Sequence, residues 1–241
     1  MGSPAAVFFD VDFTLIHPGP RFQGAGYEAN CARHGVAVDP SRFDAAVAAA
    51  ASVLAETADH SYDAQVFLNY TRRIIELMGG TGPGVDVVSR EMYDDWADHH
   101  HFFLYDDVVE TFQTLRARGL RLGLISNTQR CLSSFQSHFE LGDLVSVAVS
   151  SSDHGFMKPH PSIFRVALDR MRVPAGAAVM VGDSLPQDVL GARQIGMHGI
   201  LLARGDRRVD AGPGVPVIRT LLELPTALGR DPADAPAAGP R

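Results

Sequence analysis

The stretch Phe8-Phe9-Asp10-Val11-Asp12-Phe13-Thr14-Leu15 decides how the rest of the chain reads. The run from Ala5 to Phe9 is apolar without alternation. That pattern is expected of a central strand in a parallel sheet covered on both faces. The run ends in two carboxylates, Asp10 and Asp12, with one residue between them. A buried strand that delivers acids at its C-terminal end aims them at a crevice, because ligands of open α/β sheets bind outside the carboxyl ends of the strands. A surface turn after an edge strand would also carry Asp. Three later segments weigh against that simpler reading.

Outward from this strand, the texture changes at about residue 21. Helix-forming stretches cover Ala45 to Ala51, Val66 to Met78 and Val85 to Trp96, with breaks at Gly35, Pro40 and Asp59-His60-Ser61. Ser41 and Ser61 are the expected N-caps. The run Gly79-Gly80-Thr81-Gly82-Pro83-Gly84 follows no strand and has no Lys-Ser/Thr, so it reads as a helix connector and not a phosphate loop. The region is read as four helices inserted after the first strand. From residue 102 strand and helix alternate. Asp106 to Arg118 is an amphipathic helix stopped by Gly119, and Leu120 to Ile125 is a strand closed by Ser126-Asn127-Thr128. A helix from about Arg130 to Phe139 precedes a strand from Leu144 to Val149. Pro161 opens the next helix. Ala177 to Val181 is a strand ending in Gly182-Asp183-Ser184, Pro186 to Ile195 is a helix stopped by Gly196, and Gly199 to Ala203 is the last strand. Such alternation predicts an α/β fold: a Rossmann-like parallel sheet with helices on both faces. The expected division is an α/β core of residues 1–18 and 102–230, a helical cap of residues 19–101, and a disordered, Pro/Ala-rich tail of residues 231–241.

The bulk composition narrows the class. At 46% hydrophobic and 20% charged, the 241 residues are too apolar for disorder and too often interrupted by charge for a membrane span. A net charge of -7 argues against nucleic acid as the main partner, since phosphate backbones need clustered Lys and Arg. It leaves room for a small phosphorylated metabolite. Cys31 and Cys131 have no metal spacing and read as free thiols of a reducing cytoplasm. The first residues carry no basic segment ahead of their apolar run, so no signal peptide and a cytoplasmic location are expected.

Polar residues punctuate the strand ends: Asp10 and Asp12, then Ser126 and Asn127, then Asp183 and Asp188, with Lys158 in the loop after another strand. In a parallel sheet these ends share one edge. Two like charges about 4 Å apart repel by roughly 4 kcal/mol at an effective dielectric near 20. A cluster of Asp10, Asp12 and Asp183 must therefore hold a proton or a cation. Mg²⁺, which takes one or two carboxylates plus water and phosphate oxygens, fits an all-oxygen set. A carboxylate can attack phosphorus, and a second one can protonate the leaving oxygen. Ser126 and the Asn127 backbone can donate to phosphoryl oxygens, and Lys158 can offset their charge.

With these segments in view, the chain resembles the haloacid dehalogenase-like hydrolases. Asp10-Val11-Asp12-Phe13-Thr14, Leu124-Ile125-Ser126-Asn127, Lys158-Pro159-His160-Pro161-Ser162-Ile163-Phe164 and Gly182-Asp183-Ser184-Leu185-Pro186-Gln187-Asp188 look like the four family motifs, in order. The helical insert resembles the family's C1 cap. The resemblance implies a Mg²⁺-dependent phosphatase that cleaves a small phosphomonoester through an aspartyl-phosphate. It implies Asp10 as nucleophile, Asp12 as acid/base, and Asp10, the Asp12 carbonyl and Asp183 as metal ligands. Thr14, Ser126, Asn127 and Lys158 would bind the phosphoryl group, with Asp188 and Ser184 in support. The family often has Gly where this chain has Phe13, whose ring either packs under the cap or lines the leaving-group side. Rival readings on the same scaffold are a 2-haloacid dehalogenase, a phosphomutase or phosphoryl transferase, and a non-catalytic phospho-ligand-binding protein. Asp12 and Asp183 argue against the dehalogenase, whose chemistry needs neither a leaving-group acid nor a metal.

Simpler roles are expected for several other residues. Asp98-His99-His100-His101 reads as structural or solvated, and Arg72 and Arg73 as an exposed helix face. Cys131 reads as a small buried hydrophobe. Asp106 and Asp107 read as caps of the helix they precede. Trp96 and Phe102-Phe103 read as packing between cap and core.

Overall fold

The computed structural model describes residues 4–55, 59–205 and 209–229. β1 (Ala6–Phe9) is buried at all four positions. A tight loop leads from it to the short β2 (Ile16–Pro18). Four helices follow: α1 (Gly24–Arg33), α2 (Phe43–Ala50), α3 (Ala64–Leu77) and α4 (Gly84–Asp95). β3 (Phe102–Leu104) then returns the chain antiparallel to β2. This two-stranded ribbon joins both ends of the helical insert to the rest of the molecule. The sequence did not announce it, because three-residue strands give no periodicity to read.

The alternating part begins with α5 (Val108–Ala117), β4 (Arg121–Ser126), α6 (Leu132–His138) and β5 (Val145–Ser150). It continues through α7 (Ser151–His154), α8 (Pro161–Met171) and β6 (Ala178–Gly182). It ends with α9 (Gly191–Arg193), β7 (His198–Leu202), β8 (Val217–Ile218) and α10 (Leu224–Ala227). Six strands form a sheet in the order β5-β4-β1-β6-β7-β8, and every pairing is parallel. β1 is central, between β4 and β6.

Its lack of polar alternation has a direct cause. Val7 and Phe9 join the apolar layer that contains Phe112, Leu115 and Phe135. Ala6 and Phe8 join the opposite layer, with Phe164, Met171 and Met180. Successive side chains point to opposite faces of a strand, so a strand covered on both faces must be apolar throughout.

Several local expectations are corrected. Ser41 and Ser61 are not N-caps. Asp39 and Asp59 accept their backbone and hydroxyl hydrogens, and Asp63 caps α3 by accepting from the Gln65 N–H. An Asp two residues ahead takes both the N–H and the hydroxyl hydrogen of each serine in an Asx turn, so the serine acts there as a donor and not as a cap acceptor. The expected helix from Pro186 to Ile195 is a π-helical turn over Leu185–Leu190 followed by the short α9. Asp107 occupies the N-cap position of α5 but makes no side-chain cap bond; its carboxylate serves Arg204, Thr220 and the Leu221 N–H instead. The expected tail, residues 231–241, lies outside the described residues. Among the described residues, no helix is long and apolar enough to cross a membrane.

Candidate active site

The C-terminal ends of β1, β4 and β6 meet at one edge, and the Asp10 N–H still donates to the Val181 carbonyl of β6 at 2.9 Å. Parallel pairing therefore brings Asp10, Ser126-Asn127 and Asp183 to one rim. The loop after β5 adds Lys158. Its ammonium lies 2.5 Å from Asp10 Oδ1 and 2.7 Å from Asp188 Oδ1, and it is almost wholly buried. Burial by itself would lower the Lys158 pKa; the Asp10 and Asp188 carboxylates outweigh it and hold the ammonium charged well above neutrality. Burial raises the Asp188 carboxyl, with Lys158 opposing.

Asn127 sets where Lys158 stands. Its amide accepts from the Lys158 N–H at 2.6 Å and donates to the Lys158 carbonyl at 3.0 Å. The side chain is thus committed to the lysine's backbone. Ser126 and Thr14 differ from it. Both hydroxyls are buried and have no hydrogen-bond partner among the described residues, so each retains a donor. Ser184 shapes the π-turn: its hydroxyl accepts from the Gln187 N–H, and its own N–H donates to Asp188 Oδ2 at 3.0 Å.

Carboxylate oxygens of Asp10, Asp183 and Asp188 all lie within 4.8 Å of one another. With all three ionised and Lys158 charged, the cluster carries a formal charge of -2. An oxygen-only donor set of that charge suits a hard divalent cation such as Mg²⁺. The Asp12 carboxylate is absent from this cluster. It faces Arg130, whose Nη1 lies 3.1 and 3.2 Å from its two oxygens. Burial raises the Asp12 pKa, Asp10 adds to the rise, and Arg130 opposes it.

Arg130 is the site residue that sequence reading missed. The sequence predicts it at the start of a helix, yet α6 begins at Leu132 and Arg130 is completely buried in the loop after β4. Its Nη2 donates to the Trp96 carbonyl at 2.7 Å, and its guanidinium stacks over Phe102 at 4.4 Å. The available signal was a lone arginine three residues beyond Ser126-Asn127. Nothing in the sequence says that it turns inward.

A family profile described as haloacid dehalogenase-like hydrolase matches residues 4–196. The chain belongs to that family. A Danio rerio protein called haloacid dehalogenase-like hydrolase domain-containing protein 3 is 33% identical over 147 residues, covering 60% of each chain. The chain thus spans less than two thirds of the length of that relative. A ribulose-1,5-bisphosphate 5-phosphatase of Halopiger xanaduensis is 29% identical, covering 81% of this chain and 83% of its own. Among solved structures, a HAD phosphatase from Thermococcus onnurineus superposes with a TM-score of 0.63 at 27% identity, covering 93% and 97% of the two chains. A 2-haloacid dehalogenase from Pseudomonas syringae pv. Tomato superposes with a TM-score of 0.62 at 25% identity, covering 93% and 98%.

For a haloacid dehalogenase-like hydrolase, the Gly-to-Phe departure at Phe13 has a backbone aspect. Phe13 sits at φ +62°, the left-handed region where a side chain costs about 1–2 kcal/mol relative to glycine. Its ring is exposed, lines the cavity over the acids and lies 6.4 Å from Trp96. Trp96 packs on Phe22 and Phe102 as expected, but Phe103 is exposed and takes no part in that core. Arg72 and Arg73 are exposed and pair with Asp86 and Glu76, and His100 bonds Asp98, as the simpler readings anticipated. Cys131 is corrected. It is exposed, and hydrogen bonds from Ser133 and Ser134 draw its thiol down to about 7.

Proposed function

We propose that the chain is a Mg²⁺-dependent phosphatase that cleaves a small phosphomonoester through an aspartyl-phosphate on Asp10. The observation that carries this reading is the buried Lys158 ammonium bridging Asp10 and Asp188, beside Asp183, with the Asp12 carboxyl held apart from that cluster by Arg130. Residues 19–101 serve as the cap and residues 1–18 with 102–230 as the core.

In the first step Asp10 attacks phosphorus and the ester P–O bond breaks. The leaving alkoxide takes the proton held on Asp12. Burial favours the protonated Asp12 that this step needs. In the second step Asp12, now a carboxylate, removes a proton from water, which attacks phosphorus and releases Asp10. Lys158 fixes the rotation of the Asp10 carboxylate and offsets charge on the phosphoryl oxygens. Ser126 and Thr14 supply the uncommitted hydroxyl donors. Asp10, Asp183 and the Asp12 carbonyl would hold Mg²⁺, with Asp188 in support; bound there, the ion neutralises the attacking carboxylate and the phosphoryl oxygens.

The test is hydrolysis of p-nitrophenyl phosphate with Mg²⁺ by the wild type and Asp10→Asn. A fall of at least ~10³-fold is expected for loss of a nucleophile. Undiminished turnover would remove Asp10 from that role. The likeness to a 2-haloacid dehalogenase favours a second reading, halide displacement by Asp10. Halide release from a 2-haloacid, unaffected by a chelator, would establish it in place of the first.

A further inference from the structure

The acids and Lys158 form the floor of a cavity of ≈ 540 Å³. That volume lies within the range of about 300–1,000 Å³ that holds a drug-sized ligand. It far exceeds the needs of a phosphoryl group on a three-carbon alcohol. The chemistry of its upper walls is one-sided. The helical insert contributes Phe43, Val47, Val66, Phe67, Tyr70 and Ile74. The mouth adds Phe13 and Trp96, rings that face each other from the β1 loop and the end of α4.

Several polar groups of these walls are already hydrogen-bonded within the protein. The Tyr62 and Tyr93 hydroxyls pair at 2.8 Å. Thr71 Oγ1 donates back to the Phe67 carbonyl at 3.0 Å. The Gln129 amide donates to the Tyr93 carbonyl at 2.5 Å. The two arginines of α3, Arg72 and Arg73, do not line the cavity and pair with acids on the exposed side. Among the described residues that line it, the only basic side chains are Lys158 and His60. Lys158 already answers two carboxylates.

A polyol would lose water at its hydroxyls and find few partners here, which is costly for each group left unpaired. A second phosphate would find no arginine or free lysine. An apolar group would exchange water for aromatic and branched aliphatic walls, which is the favourable transfer. We propose that the leaving group of the substrate is a bulky apolar alcohol, aryl-sized or larger, seated against the aromatic wall of the insert. This inference rests on the phosphatase reading and narrows it to a substrate class. It also sets the chain apart from relatives whose names specify sugar phosphates.

The experiment holds leaving-group reactivity constant by comparing primary alkyl esters. The full chain with Mg²⁺ is assayed on 2-(1-naphthyl)ethyl phosphate, decyl phosphate, ethyl phosphate, glyceraldehyde 3-phosphate and ribulose 1,5-bisphosphate. Expected is a kcat/KM for the naphthyl or decyl ester at least tenfold above each of the other three. The ratio of the naphthyl to the decyl ester tells a ring from a chain as the natural occupant. Phe67→Gln should lower the naphthyl-to-ethyl ratio at least fivefold, while Phe67→Leu keeps it. Binding of 2-(1-naphthyl)ethylphosphonate against ethylphosphonate, by calorimetry, repeats the comparison without turnover. Faster cleavage of either sugar phosphate, abolished in Asp10→Asn, overturns this inference and leaves the phosphatase reading intact. Failure to cleave any ester overturns both.

Discussion

Arg130 Nη1 contacts both carboxylate oxygens of Asp12, at 3.1 and 3.2 Å, and the same guanidinium donates to the Trp96 carbonyl. One buried side chain thus ties the second acid of the β1 loop to the C-terminal end of α4. A buried arginine without a partner would be very costly, so the pair is mutually required. The arrangement orients Asp12 and at the same time moderates the rise that burial imposes on its pKa.

Arg130→Met should lower kcat for alkyl phosphates by about 10²-fold, acting through Asp12 as a positioning residue. Arg130 pulls the Asp12 pKa down, so its removal lets that pKa climb. The acid form of Asp12 then persists to higher pH. The limb on which kcat falls as Asp12 loses its proton should move in the alkaline direction, and Arg130→Lys should restore part of the shift. A kcat–pH profile measures this; a profile unmoved in Arg130→Met would show that the pair is only structural.

Asp12→Asn should separate substrates by leaving group. An alkoxide needs the proton and should lose ~10²–10⁴-fold. Nitrophenolate departs without help, so the first step survives while the water step stalls. Rapid mixing with p-nitrophenyl phosphate should then give a burst close to one equivalent of enzyme, followed by slow turnover. Equal losses for both esters and no burst would assign the proton transfers elsewhere.

Gly182 leaves no room for a side chain. A Cβ there would run into the Asp188 carboxylate, which holds Lys158. Gly182→Ala should therefore displace Asp188 and reduce stability by about 1–3 kcal/mol, the usual range for overpacking. It should also weaken the response of activity to added Mg²⁺. Denaturant midpoints and a Mg²⁺ titration provide the two readouts; a wild-type midpoint would mean that the π-turn yields easily.

Asp107 anchors the far end of the sheet. Burial raises its carboxyl, but Arg204, Thr220 and the Leu221 N–H outweigh that and hold it below the usual carboxylate range. A depressed folded pKa stabilises above the unfolded value of about 4 and is lost as pH falls through the folded value. Asp107→Asn should cost about 2–4 kcal/mol at pH 7 by leaving the half-buried Arg204 uncompensated. The difference between variant and wild type should shrink below pH 4. Unfolding curves at pH 7 and pH 3.5 test both statements.

The two cysteines should separate cleanly toward iodoacetamide. Cys131 is exposed, and the Ser133 and Ser134 hydrogen bonds bring its thiol to about 7. Cys31 is buried, which pushes its thiol up to about 11. At pH 7 alkylation should mark Cys131 many times faster than Cys31, and peptide mass mapping would read the ratio. Comparable rates would contradict the assigned environments.

Most of the sheet was legible because its strands are buried on both faces. Phe8-Phe9, Leu124-Ile125 and Val179-Met180-Val181 are runs that only a doubly covered strand tolerates in a chain this charged. The strand-end acids and Lys158 were legible for a related reason: parallel topology alone sends the ends to one edge. β2, β3 and β8 were not, since two or three residues leave no pattern. Ser41, Ser61 and Asp107 were misread because a local capping rule met a stronger acceptor nearby or a tertiary partner.

By itself, then, the sequence determined the fold class, the helical insert and the convergence of Asp10 and Asp183 on one rim, because burial and chain alternation act along the chain. Tertiary structure alone decided that Asp12 belongs to Arg130 and not to the acid cluster, that Asn127 holds the Lys158 backbone, and that the insert presents an aromatic wall. Those are matters of side-chain direction between segments far apart in sequence. Hydrogen-bond angle and close packing fix such directions only once the elements have docked.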